Sequence, residues 1–141
     1  RVKKYIKGSF FLTYCDGLSN IDIKKTLLFF NKSKKIGLVS TINPKSRFGV
    51  LSIDRYNNVL SFDEKIKNSN IWINAGFFIF TKEIFKFITE KNAIFERGPL
   101  IKLSKKKQLV AYKHKGFWQC MDTLKDKILL TEIWNNKKKF W

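Results

Sequence analysis

The strongest constraint on this chain is the run Ser9-Phe10-Phe11-Leu12-Thr13-Tyr14-Cys15-Asp16-Gly17, aromatic and β-branched until it stops at a carboxylate and a glycine. A run that is apolar without alternation suits a strand covered on both faces, as in α/β folds, and open α/β sheets bind ligands just beyond their strand ends. It therefore predicts a buried strand that delivers Asp16 to a sheet edge, well placed for chemistry. Asp-Gly is also a common turn pair, and on this stretch alone that reading stays open. Near the other end, Gly116-Phe117-Trp118-Gln119-Cys120-Met121-Asp122 repeats the pattern, with a helix-like segment after the aspartate.

Between these junctions the pattern predicts one continuous α/β unit. Ser19 or Asn20 can cap a helix from Ile21 to about Asn31, with Ile23, Leu27 and Phe30 on one face. Ile36 to Ile42 is a second β-like run ended by Pro44. Val50 to Asp54 and Val59 to Phe62 alternate about Arg55-Tyr56-Asn57-Asn58, a hairpin signal with one wet face. Lys67 to Asn70 is a polar loop. Trp72 to Phe80 is the second long apolar strand, and Thr81 caps an amphipathic segment to Thr89 in which Ile84, Phe85 and Ile88 face inward. Phe95 to Lys106 predicts a helix that tolerates Pro99 near its first turn, followed by a short strand at Leu109 to Tyr112. Thr123 caps the last helix, whose Leu124, Ile128, Leu129, Leu130 and Ile133 pack inward.

A chain of 141 residues with 44% hydrophobic and 16% aromatic content can bury a core, which excludes a disordered reading. No apolar run approaches the ~18 residues needed to span a bilayer, and Arg1-Val2-Lys3-Lys4-Tyr5 has no apolar signal region behind its charges, so a cytoplasmic protein is expected. The net charge of +18 would suit a polyanionic partner. Only four of the 29 basic residues are arginine, however, and the lysine runs Lys105 to Lys107 and Lys137 to Lys139 accompany no nucleic-acid reading motif. They read as solvated faces, with no nucleic-acid or membrane partner. Cys15 and Cys120 each sit beside a key aspartate; a Cys/Asp metal site would need a ligand cluster, and the lone His114 stands in no standard spacing, so small buried, reduced thiols are expected.

The order of these elements resembles the sugar-phosphate nucleotidyltransferases. The resemblance runs along essentially the whole chain and is carried by Thr13 to Asp22, Arg47-Phe48-Gly49, Asp63-Glu64-Lys65, Trp72 to Phe78, Phe95 to Leu100 and Gly116 to Asp126. Among such enzymes it favours cytidylyl transfer, from CTP to glucose 1-phosphate, feeding surface-polysaccharide synthesis. It implies a partial nucleotide-diphospho-sugar transferase fold, Rossmann-like, with a mixed sheet and flanking helices. The seven glycines are scattered, with no phosphate-cradling loop, and the chain opens on Arg, so it is expected to be the C-terminal half, residues 1–141 forming the metal and sugar-phosphate side of a larger, homo-oligomeric enzyme.

The resemblance further implies residue roles. Asp16 and Asp122 would hold Mg²⁺, while Asp22 and Asp126 are structural. Lys65 would neutralise the sugar phosphate and Glu64 would accept sugar hydroxyls, although a surface charge pair is an equal reading of the residues alone. Asn74 and Gly76 interrupt an apolar strand, where a buried Asn needs partners and a glycine marks a close approach, and the resemblance places the sugar there. Gly49 would let backbone touch the hexose, or form a bulge. Four positions depart from the family pattern: Ile66 for proline, Ala75 for glycine, Gly98 for glutamate and Cys120 for proline.

Overall fold

The computed structural model describes residues 2–44, 50–63, 71–90, 92–136 and 141. Its frame is a four-stranded mixed sheet in the order β1-β6-β3-β7, built from β1 (Phe10–Thr13), β3 (Gly37–Ile42), β6 (Ile73–Phe80) and β7 (Leu109–Lys113). β1 and β3 both run antiparallel to β6, and β7 runs parallel to β3. The central pair, β6 and β3, carries the longest apolar runs, as expected of strands covered on both faces.

Alternate residues of β6 feed two cores. Ile79 points to one face, where it joins Leu38 and Phe30 of α1 (Ile23–Ser33). Phe78 and Phe80 form the other core with Ile84, from a 3₁₀ turn at Lys82–Lys86, and Leu103, from α2 (Ile101–Lys105). The result is helix, sheet and helix in three layers, the predicted α/β class with a mixed sheet and flanking helices.

β1 departs from expectation. It is an edge strand whose burial alternates, with Phe10 and Leu12 packed against Phe78 and Phe80 while Phe11 is 52% exposed. Its run is continuously apolar, yet in this chain only one face is covered. The start of α1 also differs. Asp22 is the N-cap, accepting from the Lys25 amide at 2.9 Å, while the Ser19 hydroxyl and the Asn20 backbone amide donate to the carbonyl oxygen of Phe117 (2.9 and 3.2 Å) and hold those two residues beside β8 (Trp118–Cys120). Thr81 occupies the N-cap position of the 3₁₀ turn without a side-chain capping bond.

Glu96–Leu100 is a π-helical turn leading into α2, closed by the Leu100 amide on the Phe95 carbonyl at 3.1 Å. Pro99 has no N–H to give, and this wider turn accommodates it. The hairpin pairs β4 (Val50–Ile53) with β5 (Val59–Asp63) as predicted. Leu51, Ile53, Leu60 and Phe62 are all exposed, so the hairpin is wet on both faces and not on one.

At the C-terminal end, β2 (Gly17–Ser19) pairs antiparallel with β8 (Trp118–Cys120), and α3 (Leu124–Asn135) follows. Thr123 and Asp126 form the capping box of α3, and Asp126 is buried, so its structural role stands. Of the apolar residues expected to pack inward, Leu130 is buried, whereas Leu124, Ile128 and Leu129 are exposed. The helix packs on the short strand β8, which is too small to cover an apolar stripe of that length.

Candidate active site

The site is built on the last residues of β1 and the first of β6. The Tyr14 amide donates to the Gly76 carbonyl at 2.8 Å, extending the β1–β6 ladder by one residue before the chain turns at Cys15 and Asp16 into β2. Gly17 pairs with Cys120, and the Asp16 carbonyl accepts from the Met121 amide at 2.9 Å. This short ribbon brings Asp16 and Asp122, remote in sequence, to the same end of one pair of strands. Both are exposed. The ribbon is fastened to the main sheet by the Trp118 indole, which donates to the Ala75 carbonyl at 2.8 Å.

Two carboxylates here could hold a hard cation. Among the described residues no group of three or more His, Cys, Asp and Glu gathers for a metal. The protein share of a shell would thus be the two aspartates, a pattern Mg²⁺ accepts because phosphate oxygens and water fill the rest. Cys120 adds no soft ligand. Its thiol donates to Asp122 Oδ2 at 3.2 Å, and burial, then the Asp122 carboxylate, push its pKa up to about 11. The expectation of two buried thiols is not met, since Cys15 is exposed and Cys120 half-buried. His114 stands apart, its Nε2 lying 3.2 Å from Ser19 Oγ and 3.1 Å from the Phe117 carbonyl oxygen.

On the β6 side, Asn74 is exposed and not buried as its place in an apolar strand suggested. Its Oδ1 accepts from the Gly76 amide at 2.8 Å, and its Nδ2 lies 3.5 Å from Glu96 Oε1. Gly76 has φ +78°, and a Cβ there would stand 3.2 Å from the Tyr14 ring, so the close approach marked by this glycine is that of an aromatic side chain of the same chain. Gly49, Glu64 and Lys65 lie outside the described residues, as do Ile66 and the loop from Lys67 to Asn70.

Two residues of this cluster, Tyr14 and Glu96, have no role assigned from the sequence, although both lie in stretches that carry the resemblance. The Tyr14 hydroxyl donates to Glu96 Oε1 at 2.8 Å, across most of the chain. Phe78 aligns the pair, because its ring sits 5.4 Å from that of Tyr14 and edge-on, at 6.1 Å, to that of Phe95, the residue before Glu96. Burial first, then the bond and charge of Glu96 and the charge of Asp16, hold the Tyr14 phenol up at about 12. It stays a neutral donor. The one signal available was local: Tyr14 is a hydroxyl-bearing ring two residues before Asp16, at the end of an apolar run.

The nucleotidyl transferase family model matches residues 4–128. The chain belongs to that family. This family member is 38% identical over its whole length to the glucose-1-phosphate cytidylyltransferase of Salmonella typhimurium and 33% identical to the probable glucose-1-phosphate cytidylyltransferase of Bacillus subtilis. It covers 55% and 56% of them, and so spans about half the length of the curated relatives it matches. Among solved structures, a putative glucose-1-phosphate thymidylyltransferase from Bacillus anthracis superposes with a TM-score of 0.66 at 18% identity, over 94% of this chain and 57% of that one. HddC from Yersinia pseudotuberculosis gives 0.62 at 22% identity, over 94% and 59%. These two likenesses establish the nucleotidyltransferase fold.

Proposed function

We propose that this chain supplies the metal and sugar-phosphate side of an enzyme that transfers CMP from CTP to glucose 1-phosphate, giving CDP-glucose and pyrophosphate. The observation that carries the reading is the β2–β8 ribbon, which sets Asp16 and Asp122 at one end beside Tyr14, Asn74 and Glu96. In the reaction an oxygen of the sugar phosphate forms a bond to the α-phosphorus of CTP as the bond to pyrophosphate breaks. Both reactants are anions, so repulsion and misalignment dominate the barrier. Bound between the two aspartates, Mg²⁺ would supply positive charge to the phosphates.

The chain's own contribution is placement. Trp118 fixes the ribbon to the sheet, the Met121 amide closes the ribbon on the Asp16 carbonyl, and Cys120 orients the Asp122 carboxylate. Asn74 stands at the sugar, with Glu64 and Lys65 assigned to the hydroxyls and the phosphate. The triphosphate cradle belongs to the part of the relatives that this chain does not span, and the whole enzyme is read as a cytoplasmic homo-oligomer. No helix among the described residues is long and apolar enough to cross a membrane.

The test is pyrophosphate release by the full-length protein from glucose 1-phosphate with CTP, dTTP or UTP. CTP should be preferred, and this chain alone should not turn over. Asp16→Asn and Asp122→Asn should each lower kcat by about 10² to 10³ while melting normally, in line with the loss of one preorganised electrostatic group. Asp22→Asn, an exposed helix cap, should change the rate by less than about threefold. A folded Asp122→Asn protein with near-normal rate at low Mg²⁺ would refute the two-aspartate site.

A further inference from the structure

The β2–β8 ribbon that carries Asp16 and Asp122 is a small body, two strands of three residues each. The bond of the Trp118 indole to the Ala75 carbonyl fixes one point of it on the main sheet, and a body held at one point can still tilt. A second attachment stands at the end away from the aspartates, where the chain leaves the ribbon through Ser19 towards α1 and enters it through Phe117. His114 sits at that junction.

By its backbone His114 belongs to the main sheet. Its amide donates to the Thr41 carbonyl at 2.8 Å, continuing the parallel pairing of β7 with β3 by one residue. Its half-buried ring reaches the ribbon, with Nε2 3.2 Å from Ser19 Oγ and 3.1 Å from the Phe117 carbonyl oxygen. The Ser19 hydroxyl donates to that same carbonyl at 2.9 Å, as does the Asn20 amide at 3.2 Å. A carbonyl only accepts, so the Nε2 contact is a bond when this nitrogen bears the proton, and a lone pair of Ser19 Oγ then becomes its second acceptor. One N–H is thus forked between the last residue of β2 and the residue before β8. Gly116 makes room for the ring, since a Cβ there would stand 2.7 Å from His114 Cε1 and would collide with the Asn20 side-chain oxygen.

We propose that His114 is a positioning residue for the metal end: its Nε2–H clasps both strands of the ribbon to the end of β7 and so sets the separation of Asp16 and Asp122. Trp118 fixes where the ribbon sits, and His114 fixes its tilt. The lever is short, because Asp16 precedes Ser19 by three residues, about 10 Å along a strand. Mg²⁺ demands near-octahedral oxygen ligands at about 2.0 to 2.1 Å, and a working site tolerates errors of only about 0.5 Å, so a small tilt of the ribbon is felt as lost affinity. The assignment rests on the two-aspartate reading given above.

The experiment measures Mn²⁺ binding to the full-length protein from the electron paramagnetic resonance signal of the free ion, with melts as a folding control. His114→Leu should weaken Mn²⁺ about 10-fold, the lower end of what a lost outer-shell partner costs a metal site. His114→Gln carries an N–H₂ able to meet the same two acceptors and should stay within about threefold of the parent. Ser19→Ala removes one prong of the fork and should fall between the parent and His114→Leu. In steady-state assays His114→Leu should need about 10-fold more Mg²⁺ for half-maximal pyrophosphate release, with kcat at saturating Mg²⁺ within about threefold. Imidazole ¹⁵N NMR of the neutral ring should find the proton on Nε2, and a proton held on Nδ1 would remove the fork and overturn the assignment. A folded His114→Leu protein with parental Mn²⁺ affinity would overturn it alone; if that variant does not fold, parental affinity in Ser19→Ala does so instead. Mn²⁺ binding that is absent from the parent, or that survives both Asp16→Asn and Asp122→Asn, would overturn the two-aspartate reading itself.

Discussion

The buried carboxylate of Asp126 lends itself to a quantitative test. Its Oδ2 accepts from the Thr123 amide at 3.0 Å and the Thr123 hydroxyl at 2.7 Å, and its Oδ1 accepts from the Gln119 side-chain amide at 2.9 Å. The first of these bonds is one half of the α3 capping box, whose other half is the Asp126 amide donating to Thr123 Oγ1 at 3.2 Å, and the third ties α3 back to β8, the strand that delivers Asp122. Asp126→Ala removes both acceptor oxygens and leaves the Thr123 amide and the Gln119 side chain to find water. Loss of a helix cap costs about 1 kcal/mol, and each charge-assisted bond about 1.5 to 3 kcal/mol, though bonds sharing one group do not add. A net loss of about 3 kcal/mol is expected for Asp126→Ala. Asp126→Asn keeps one acceptor but points an N–H₂ at donors, so about 1 to 2 kcal/mol is expected. In urea unfolding the midpoint should move down with an unchanged slope, by roughly three times the shift of Asp22→Ala, which removes the surface cap of α1 at about 1 kcal/mol. If Asp126→Ala unfolded within about 0.5 kcal/mol of the parent, the capping box would carry no weight and the coupling of α3 to β8 would need another source.

Two further outcomes follow from local geometry. Gly76→Ala would force a Cβ onto the Tyr14 ring at a backbone with φ +78°, and should cost about 1 to 3 kcal/mol of stability by denaturant midpoint; an unchanged midpoint would refute the reason given for this glycine. The Asn58 side chain, then the Asn58 and Tyr56 amides, hold the Asp54 carboxyl below its ordinary pKa, so the carboxylate's support of the β4–β5 turn is present above the unfolded value and is lost as pH falls through the lower folded one. An NMR titration should place the Asp54 midpoint below the ordinary carboxylate value, and Asn58→Ala should move it back up.

Legibility in the sequence followed the kind of physics involved. β3 and β6 could be read because a strand covered on both faces needs apolar residues at consecutive positions, and few other structures do. The same pattern misled at β1. Composition records what a strand could bury, whereas exposure depends on what is packed over each face, and among the described residues the core covers β1 on the Phe10 and Leu12 face while Phe11 stays exposed. The helix start failed for a related reason. Ser19 and Asn20 are good caps by propensity, but a tertiary partner, the Phe117 carbonyl, takes the Ser19 hydroxyl and the Asn20 backbone amide and keeps both residues in the ribbon.

The site separated along the same line. Asp16 and Asp122 could be picked out one at a time, each at an apolar-to-polar junction, yet what joins them is a ribbon of two three-residue strands, too short for any periodicity to register. Glu96 lies in Phe95 to Leu100, a stretch that carries the resemblance, but its contact with Tyr14 was out of reach. Its placement arises from a π turn whose Phe95 docks edge-on against Phe78 and Phe80, so the carboxylate is aimed by a ring two elements away and received by a tyrosine at the far end of the chain. A residue positioned by its neighbour's packing leaves no local pattern.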